Sequence, residues 1–133
     1  MRHTYWLATL VIGAILALAV SPAFAGTTQY PTVFTKFKYK LDGGVATFKG
    51  EISSTKGGCV GDRKVKLYRK KSGNTKKLGG DHTNNKGKFE IDLGNGPPSD
   101  GKYYATIKQT NIGSSSNKKI CLARTSGSVK LSS

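Results

Sequence analysis

From Val33 to Leu41 the chain alternates, and that alternation limits the choice of fold more than any other feature. Val33, Thr35, Phe37, Tyr39 and Leu41 share one parity, while Lys36, Lys38 and Lys40 share the other. Side chains on a strand point to opposite faces in turn, so a period of two describes a half-buried β-strand with a basic outer face. The pattern recurs. Ala46, Phe48, Gly50 and Ile52 alternate with Thr47, Lys49 and Glu51; Val65 and Leu67 alternate with Lys64, Lys66, Tyr68 and Lys70. Phe89, Ile91 and Leu93 alternate with Lys88, Glu90 and Asp92, and Tyr103, Ala105 and Ile107 share a further inward parity. A weak strand near Lys77–Thr83, with Gly79-Gly80 marking a bulge or an edge, and a last one at Val129 and Leu131 complete the set. Past residue 25 no stretch has the 3.6-residue period of a helix.

Turn residues punctuate these runs. Asp42-Gly43-Gly44 and Ser72-Gly73-Asn74 read as tight turns, and Asn84-Asn85-Lys86-Gly87 reads as a hairpin. Phe34 and Tyr104 fall on the outward parity of their strands. The expectation is an all-β chain: a single seven-stranded antiparallel β-sandwich of Ig-like layout over residues 26–133.

Residues 1–25 have a different character. Met1-Arg2-His3 is a short basic start, Leu7–Val20 is apolar but for Thr9 and Gly13, and Ala23-Phe24-Ala25 is a small-residue site. That is the layout of a helical secretory signal peptide cut after Ala25. At 14 residues the apolar run is short for a membrane span. The expected mature chain, from Gly26, is secreted (extracellular, or periplasmic where there is an outer membrane) and has no stable membrane insertion.

Of the 22 Lys and Arg, only Arg2 lies in this leader, and all seven acidic residues lie after it, so the mature net charge is +14. Eighteen of the mature cations are Lys and three are Arg: Arg63, Arg69 and Arg124. Lysine is a hydrated point charge, whereas arginine is a planar fork suited to bidentate recognition. A lysine-dominated surface therefore implies salt-dependent attraction to polyanions. The densest run surrounds the third strand, and Arg63, Lys64, Lys66, Tyr68 and Lys70 are the candidate polyanion-binding residues. Their aromatic member can stack on a ring of the ligand. The competing reading is that these lysines keep the protein soluble and its strand edges unpaired.

Cys59 and Cys121 are an even count in an exported chain, which reads as one disulfide; two free thiols are the alternative. A bridge closing a loop of about 60 residues contributes on the order of 4 kcal/mol in the chain-entropy picture.

Chemistry has few candidates. His82 is the one histidine of the mature chain, its neighbour Asp81 points to the other face of a strand, and no G-x-S-x-G elbow presents a serine. Asp81–Asp92 has the oxygens of a calcium loop but Lys86 where its sixth position needs glycine. Zinc has no ligand set once the cysteines pair. No cofactor and no metal are expected, and the chain reads as non-enzymatic. A structural domain without a ligand, and an enzyme of unrecognised type, are the alternatives.

Three stretches together resemble a known family. Val65, Leu67 and Arg69 lie in a V-x-L strand; Thr83, Gly87 and Phe89 lie in a T-x-x-x-G-x-F turn; Gly101, Tyr103 and Ile107 lie in the closing strand. Over residues 45–108 the pattern is similar to the carboxypeptidase-regulatory-like, or transthyretin-like, β-sandwich domains. The cysteine placement resembles that of small secreted bacterial proteins carrying such a domain. The resemblance implies a non-catalytic prealbumin-like sandwich and transfers no ligand-binding residue.

Overall fold

A computed structural model describes residues 26–132, and the expected signal peptide lies outside them. The described chain is all-β. Its strands are β1 (Thr28–Tyr30), β2 (Thr32–Asp42), β3 (Val45–Ser54), β4 (Lys64–Lys71), β5 (Asn74–His82), β6 (Lys88–Asn95), β7 (Gly101–Ile107), β8 (Thr110–Asn111), β9 (Lys119–Cys121), β10 (Arg124–Thr125) and β11 (Val129–Leu131). A single 3₁₀ turn spans Gly57–Cys59. Among the described residues no helix is long and apolar enough to cross a membrane.

The strands form three sheets. One has the order β2-β3-β6, a second has β10-β7-β4-β5 with β11 also on β7, and a small third has β1-β9-β8. Alternation located β2 to β7 and β11. The short strands β1, β8, β9 and β10 carry no such pattern, and β1 pairs with β9 in parallel.

The two larger sheets share one core. Phe48 and Ile52 from β3 and Phe89 and Ile91 from β6 meet Val65 and Leu67 from β4 and Tyr103, Ala105 and Ile107 from β7. Phe48 is fully buried at its centre, stacked on Phe37 at 5.4 Å and on Tyr103 at 5.0 Å between ring centroids. Each such pair adds about 0.5–1.5 kcal/mol beyond the area it buries. The Tyr103 hydroxyl is satisfied by donating to the Ser99 carbonyl. Beside Phe48, the Phe89 ring lies over Gly50, where a Cβ would come within 2.2 Å of it.

Three sequence expectations need correction. First, β2 does not keep one parity. Its pairing with β3 passes from Phe34↔Ile52 to Lys36↔Glu51, so Thr35 is a β-bulge. The extra residue reverses the faces N-terminal to it. Phe34, expected to point outward, packs edge-on against Phe89 at 6.1 Å, while Val33, expected inward, is 44% exposed. Leu41, also expected inward, is 47% exposed beside the Gly43-Gly44 turn. Second, Asn84–Gly87 is a reversal but not a hairpin. The Gly87 N–H donates to the Asn84 carbonyl, and Asn84 Oδ1 accepts from the N–H groups of Lys86 and Lys88. The chain then leaves β5 in one sheet and enters β6 in another. Local turn chemistry fixes the reversal, and the core decides which sheet each arm joins. The third correction, at Arg63, belongs to the site.

At the expected bulge in β5, Leu67 pairs with Gly79 and Tyr68 with Lys77, which leaves Leu78 as the extra residue. β5 is also a sheet edge.

Candidate functional site

Strand β4 is flanked by β7 and β5, and the register of that sheet builds the site. Val65 and Leu67 face the core and are fully buried. The opposite parity carries Lys64, Lys66, Tyr68 and Lys70. Lys64 and Lys70 are exposed; Lys66 and Tyr68, hemmed by the neighbouring strands, are half-buried. On one side Lys66 pairs with Thr106, Tyr68 with Tyr104 and Lys70 with Lys102. On the other, Tyr68 pairs with Lys77 and Lys70 with Thr75. One strand further, Lys102 pairs with Lys130 of β11.

Two cross-strand rows result. Lys130, Lys102 and Lys70 stand side by side on adjacent strands. Beside them Tyr104 and Tyr68 stack at 5.6 Å with their planes 18° apart, and Lys77 continues that row. Like charges directly opposite one another destabilise a sheet, yet none of these lysines enters an ion pair among the described residues. A groove of about 500 Å³ opens over the first row, lined by Lys70, Lys71, Lys102, Tyr104 and Lys130 together with the Ser72-Gly73 turn. Its volume is in the range of small-ligand sites.

The outer face of the β2-β3-β6 sheet is the electrostatic opposite. There Lys36 meets Glu51 at 3.8 Å, Lys49 meets Glu90 at 3.5 Å and Lys40 meets Asp42 at 3.1 Å. Asp92 accepts a hydrogen bond from Thr47 at 2.8 Å. A hollow of about 530 Å³ at its edge mixes lysines with Glu51, Glu90 and Asp81, so its charges compensate locally. Asp81 turns toward the edge of β6, where its Oδ2 accepts the Glu90 N–H at 2.9 Å. The protein therefore has one mixed face and one cationic face.

Arg63 does not belong to the cationic face. It was expected at the centre of the positive surface, and it is 1% exposed. Its Nη1 donates to Thr32 Oγ1 at 3.1 Å and to the Cys59 carbonyl at 2.8 Å; its Nη2 donates to the carbonyls of Lys108 at 3.0 Å and Leu122 at 3.2 Å. Four chain segments thus converge on one guanidinium, and burial pushes its pKa below the ordinary arginine value. Its Nε is buried without a partner. Position 63 immediately precedes β4 and keeps the inward parity of Val65 and Leu67, and its carbonyl extends the ladder by accepting the Thr83 N–H, so the alternation itself pointed it away from the cationic face. A second signal was its residue type: a fork with five donors in a chain that uses lysine nearly everywhere else.

Cys59 and Cys121 form the disulfide, with Cα atoms 5.3 Å apart and both side chains fully buried. His82, set aside as a lone histidine, has a partner that sequence did not suggest: Asp62 Oδ1 lies 3.0 Å from its Nδ1, and both side chains are exposed. Among the described residues no three His, Cys, Asp or Glu side chains converge as a metal site. Sequence reasoning also missed Lys102 and Lys130, whose place in the site follows only from register.

No protein-family model matches the chain, and neither a curated protein nor a solved structure matches it.

Proposed function

We propose that this chain is an exported, non-catalytic module whose outer β7-β4-β5 face binds anionic polymers. The observation that carries the reading is the charge asymmetry between the two sheets. On the β2-β3-β6 face Lys36, Lys40 and Lys49 sit beside carboxylates, whereas Lys66, Lys70, Lys77, Lys102 and Lys130 cluster around a stacked tyrosine pair and enter no ion pair among the described residues. The other face has one opposed pair, Lys38↔Lys49, and Glu90 relieves it; lysines that served solubility alone would have no reason to form the unrelieved Lys70–Lys102–Lys130 row. The layout of residues 1–25 supports export, and a buried disulfide suits an oxidising compartment. Two larger sheets around one core, with the family-like motifs at Val65, Thr83, Gly87, Phe89 and Tyr103, support a prealbumin-like β-sandwich of the carboxypeptidase-regulatory-like kind. Cell-wall polymers, acidic glycans and extracellular DNA all have the required charge.

A charge-matched comparison tests the proposal. In one variant Lys66, Lys70, Lys102 and Lys130 become Gln; in the other Lys36, Lys38, Lys40 and Lys49 do. Both have the same net charge. The first should elute from heparin and from DNA columns at much lower salt than the second. Equal losses would mean that net charge, not a face, governs retention, and the binding-face reading would fail in favour of a domain without a specific ligand.

A further inference from the structure

We infer that the polymer bound by this face is single-stranded nucleic acid, with phosphates on the Lys70–Lys102–Lys130 row and a base against the Tyr104–Tyr68 pair. The inference rests on the binding-face reading and narrows it.

Donor and acceptor chemistry comes first. The outward positions of β4, β7 and β11 are Lys, Tyr and Thr, with no carboxylate and no amide among them. Lysine donates and never accepts. A glycan, even a sulfated or uronic one, presents ring hydroxyls that each donate and need an acceptor. The strand positions offer only the hydroxyls of Tyr68, Tyr104 and Thr106, and the groove rim adds those of Ser72 and Ser128, few acceptors beside the lysines. A phosphodiester backbone presents acceptor oxygens, which suits a donor surface.

Geometry comes second. Neighbouring strands stand about 4.8 Å apart, so Lys70, Lys102 and Lys130 form a line of three charges about 10 Å long with no ion pair among the described residues. A polymer carrying closely spaced negative charges removes that repulsion and releases counterions as it binds. The tyrosine row lies two residues along the strands, about 6.7 Å away, and Tyr104 lines the groove above the lysines. Tyr68 and Tyr104 hold one another in a near-parallel stack, so a ring meeting them finds a preset platform. Stacking of this kind is tolerant of sequence because every base has a π-face. In a duplex the bases are stacked inside and out of reach of rings set in a sheet, which selects a single strand.

Binding is measured by fluorescence anisotropy with the purified protein and four probes: oligo-dT of about 15 nucleotides, within the site sizes of single-strand modules, an abasic strand with the same number of phosphates, a duplex of equal length, and heparin. Oligo-dT should bind at least roughly fivefold tighter than the abasic strand, the low end for one stacked base, and tighter than the duplex. Replacing Tyr68 and Tyr104 with Leu should erase that advantage and leave the salt dependence in place. Replacing Lys70, Lys102 and Lys130 with Gln should weaken both strands alike, and should reduce the slope of log K against log salt by roughly 0.7 per lysine. The comparison of oligo-dT with the abasic strand needs no variant, so it stands even where a variant folds poorly. Equal binding of those two strands, or tighter binding of heparin, overturns the nucleic-acid inference. If heparin is still lost selectively in the cationic-face variant, the broader reading survives that result; if no probe is retained, both fall.

Discussion

Arg63 donates to the carbonyl oxygen of Cys59 at 2.8 Å, and its other terminal nitrogen donates to Leu122, the residue after Cys121. One buried cation therefore holds the backbone on both sides of the Cys59–Cys121 bridge. Among the described residues no carboxylate takes part. Carbonyl dipoles and the Thr32 hydroxyl solvate the charge, and Thr32 Oγ1 in turn donates to the Leu122 carbonyl at 2.8 Å. A charge without a counter-ion is expensive to bury, so these acceptors are needed to keep it there, and it in turn is needed to satisfy them.

Arg63→Met should be strongly destabilising although it preserves much of the apolar volume. It removes the donors and leaves the carbonyls of Cys59, Lys108 and Leu122 inside, at a cost of about 3–5 kcal/mol. Arg63→Lys should recover little, because one ammonium has three donors around one nitrogen where the fork reaches four acceptors. Urea unfolding of the three proteins measures this. A loss below about 1 kcal/mol in Arg63→Met would mean that the network is incidental.

Replacing Cys59 and Cys121 together with Ala should lower stability by about 2–5 kcal/mol. The larger point is coupling. The bridge and the guanidinium position the same two segments, so their effects should not add. In the cysteine-free background Arg63→Met should cost less than it does with the bridge intact, by about 0.5–3 kcal/mol. Additivity of the two changes within about 0.5 kcal/mol would show them to be independent.

What sequence could disclose followed what each residue's position depends on. Val65, Leu67, Phe89, Ile91, Tyr103 and Ile107 were legible because alternation and burial are the same fact on a strand with one wet face. The outward parity of Lys64, Lys66, Tyr68, Lys70 and Tyr104 was legible for the same reason. The adjacency of Tyr68 to Tyr104, and of Lys70 to Lys102 to Lys130, was not, because cross-strand register is set by packing between segments far apart in the chain. Phe34 and Val33 were assigned to the wrong faces because a bulge leaves no composition signal at Thr35. Arg63 was misplaced because its charge was weighed above its parity: it shares the inward parity of Val65 and Leu67 and is buried with them.

Gly50 is held by close approach rather than by backbone conformation. A Cβ there would lie 2.2 Å from Phe89 Cζ, 2.5 Å from Phe89 Cε1 and 2.8 Å from the Lys36 carbonyl oxygen. Gly50→Ala should cost about 1–3 kcal/mol through overpacking. Combining it with Phe89→Leu should give only partial relief, because the contact with the Lys36 backbone remains. Thermal unfolding should rank the wild type first. A Gly50→Ala protein as stable as the wild type would mean that the Phe89 ring has room to withdraw.

The bulge in β2 leads to a contrast between two single-residue deletions. Thr35 is the residue that interrupts the ladder between Phe34↔Ile52 and Lys36↔Glu51. Without it those two pairs become consecutive, and Thr32, Phe34, Phe37 and Tyr39 alternate strictly on the inner face. The deletion loses a weak exposed hydrogen bond, from Thr35 Oγ1 to the Glu51 carbonyl at 3.2 Å. Its expected cost is therefore below about 1.5 kcal/mol. Deleting Lys38 removes just one exposed residue as well, but it makes Phe37 and Tyr39 neighbours on opposite faces. One of the two rings that pack against Phe48, each at 5.4 Å, must then leave the core, at a cost of about 3 kcal/mol or more. Urea midpoints of the two deletion proteins decide the matter. The Thr35 deletion should unfold close to the wild type and the Lys38 deletion far below it; similar losses in both would show that the bulge itself, and not the alternation around it, sets the path of β2.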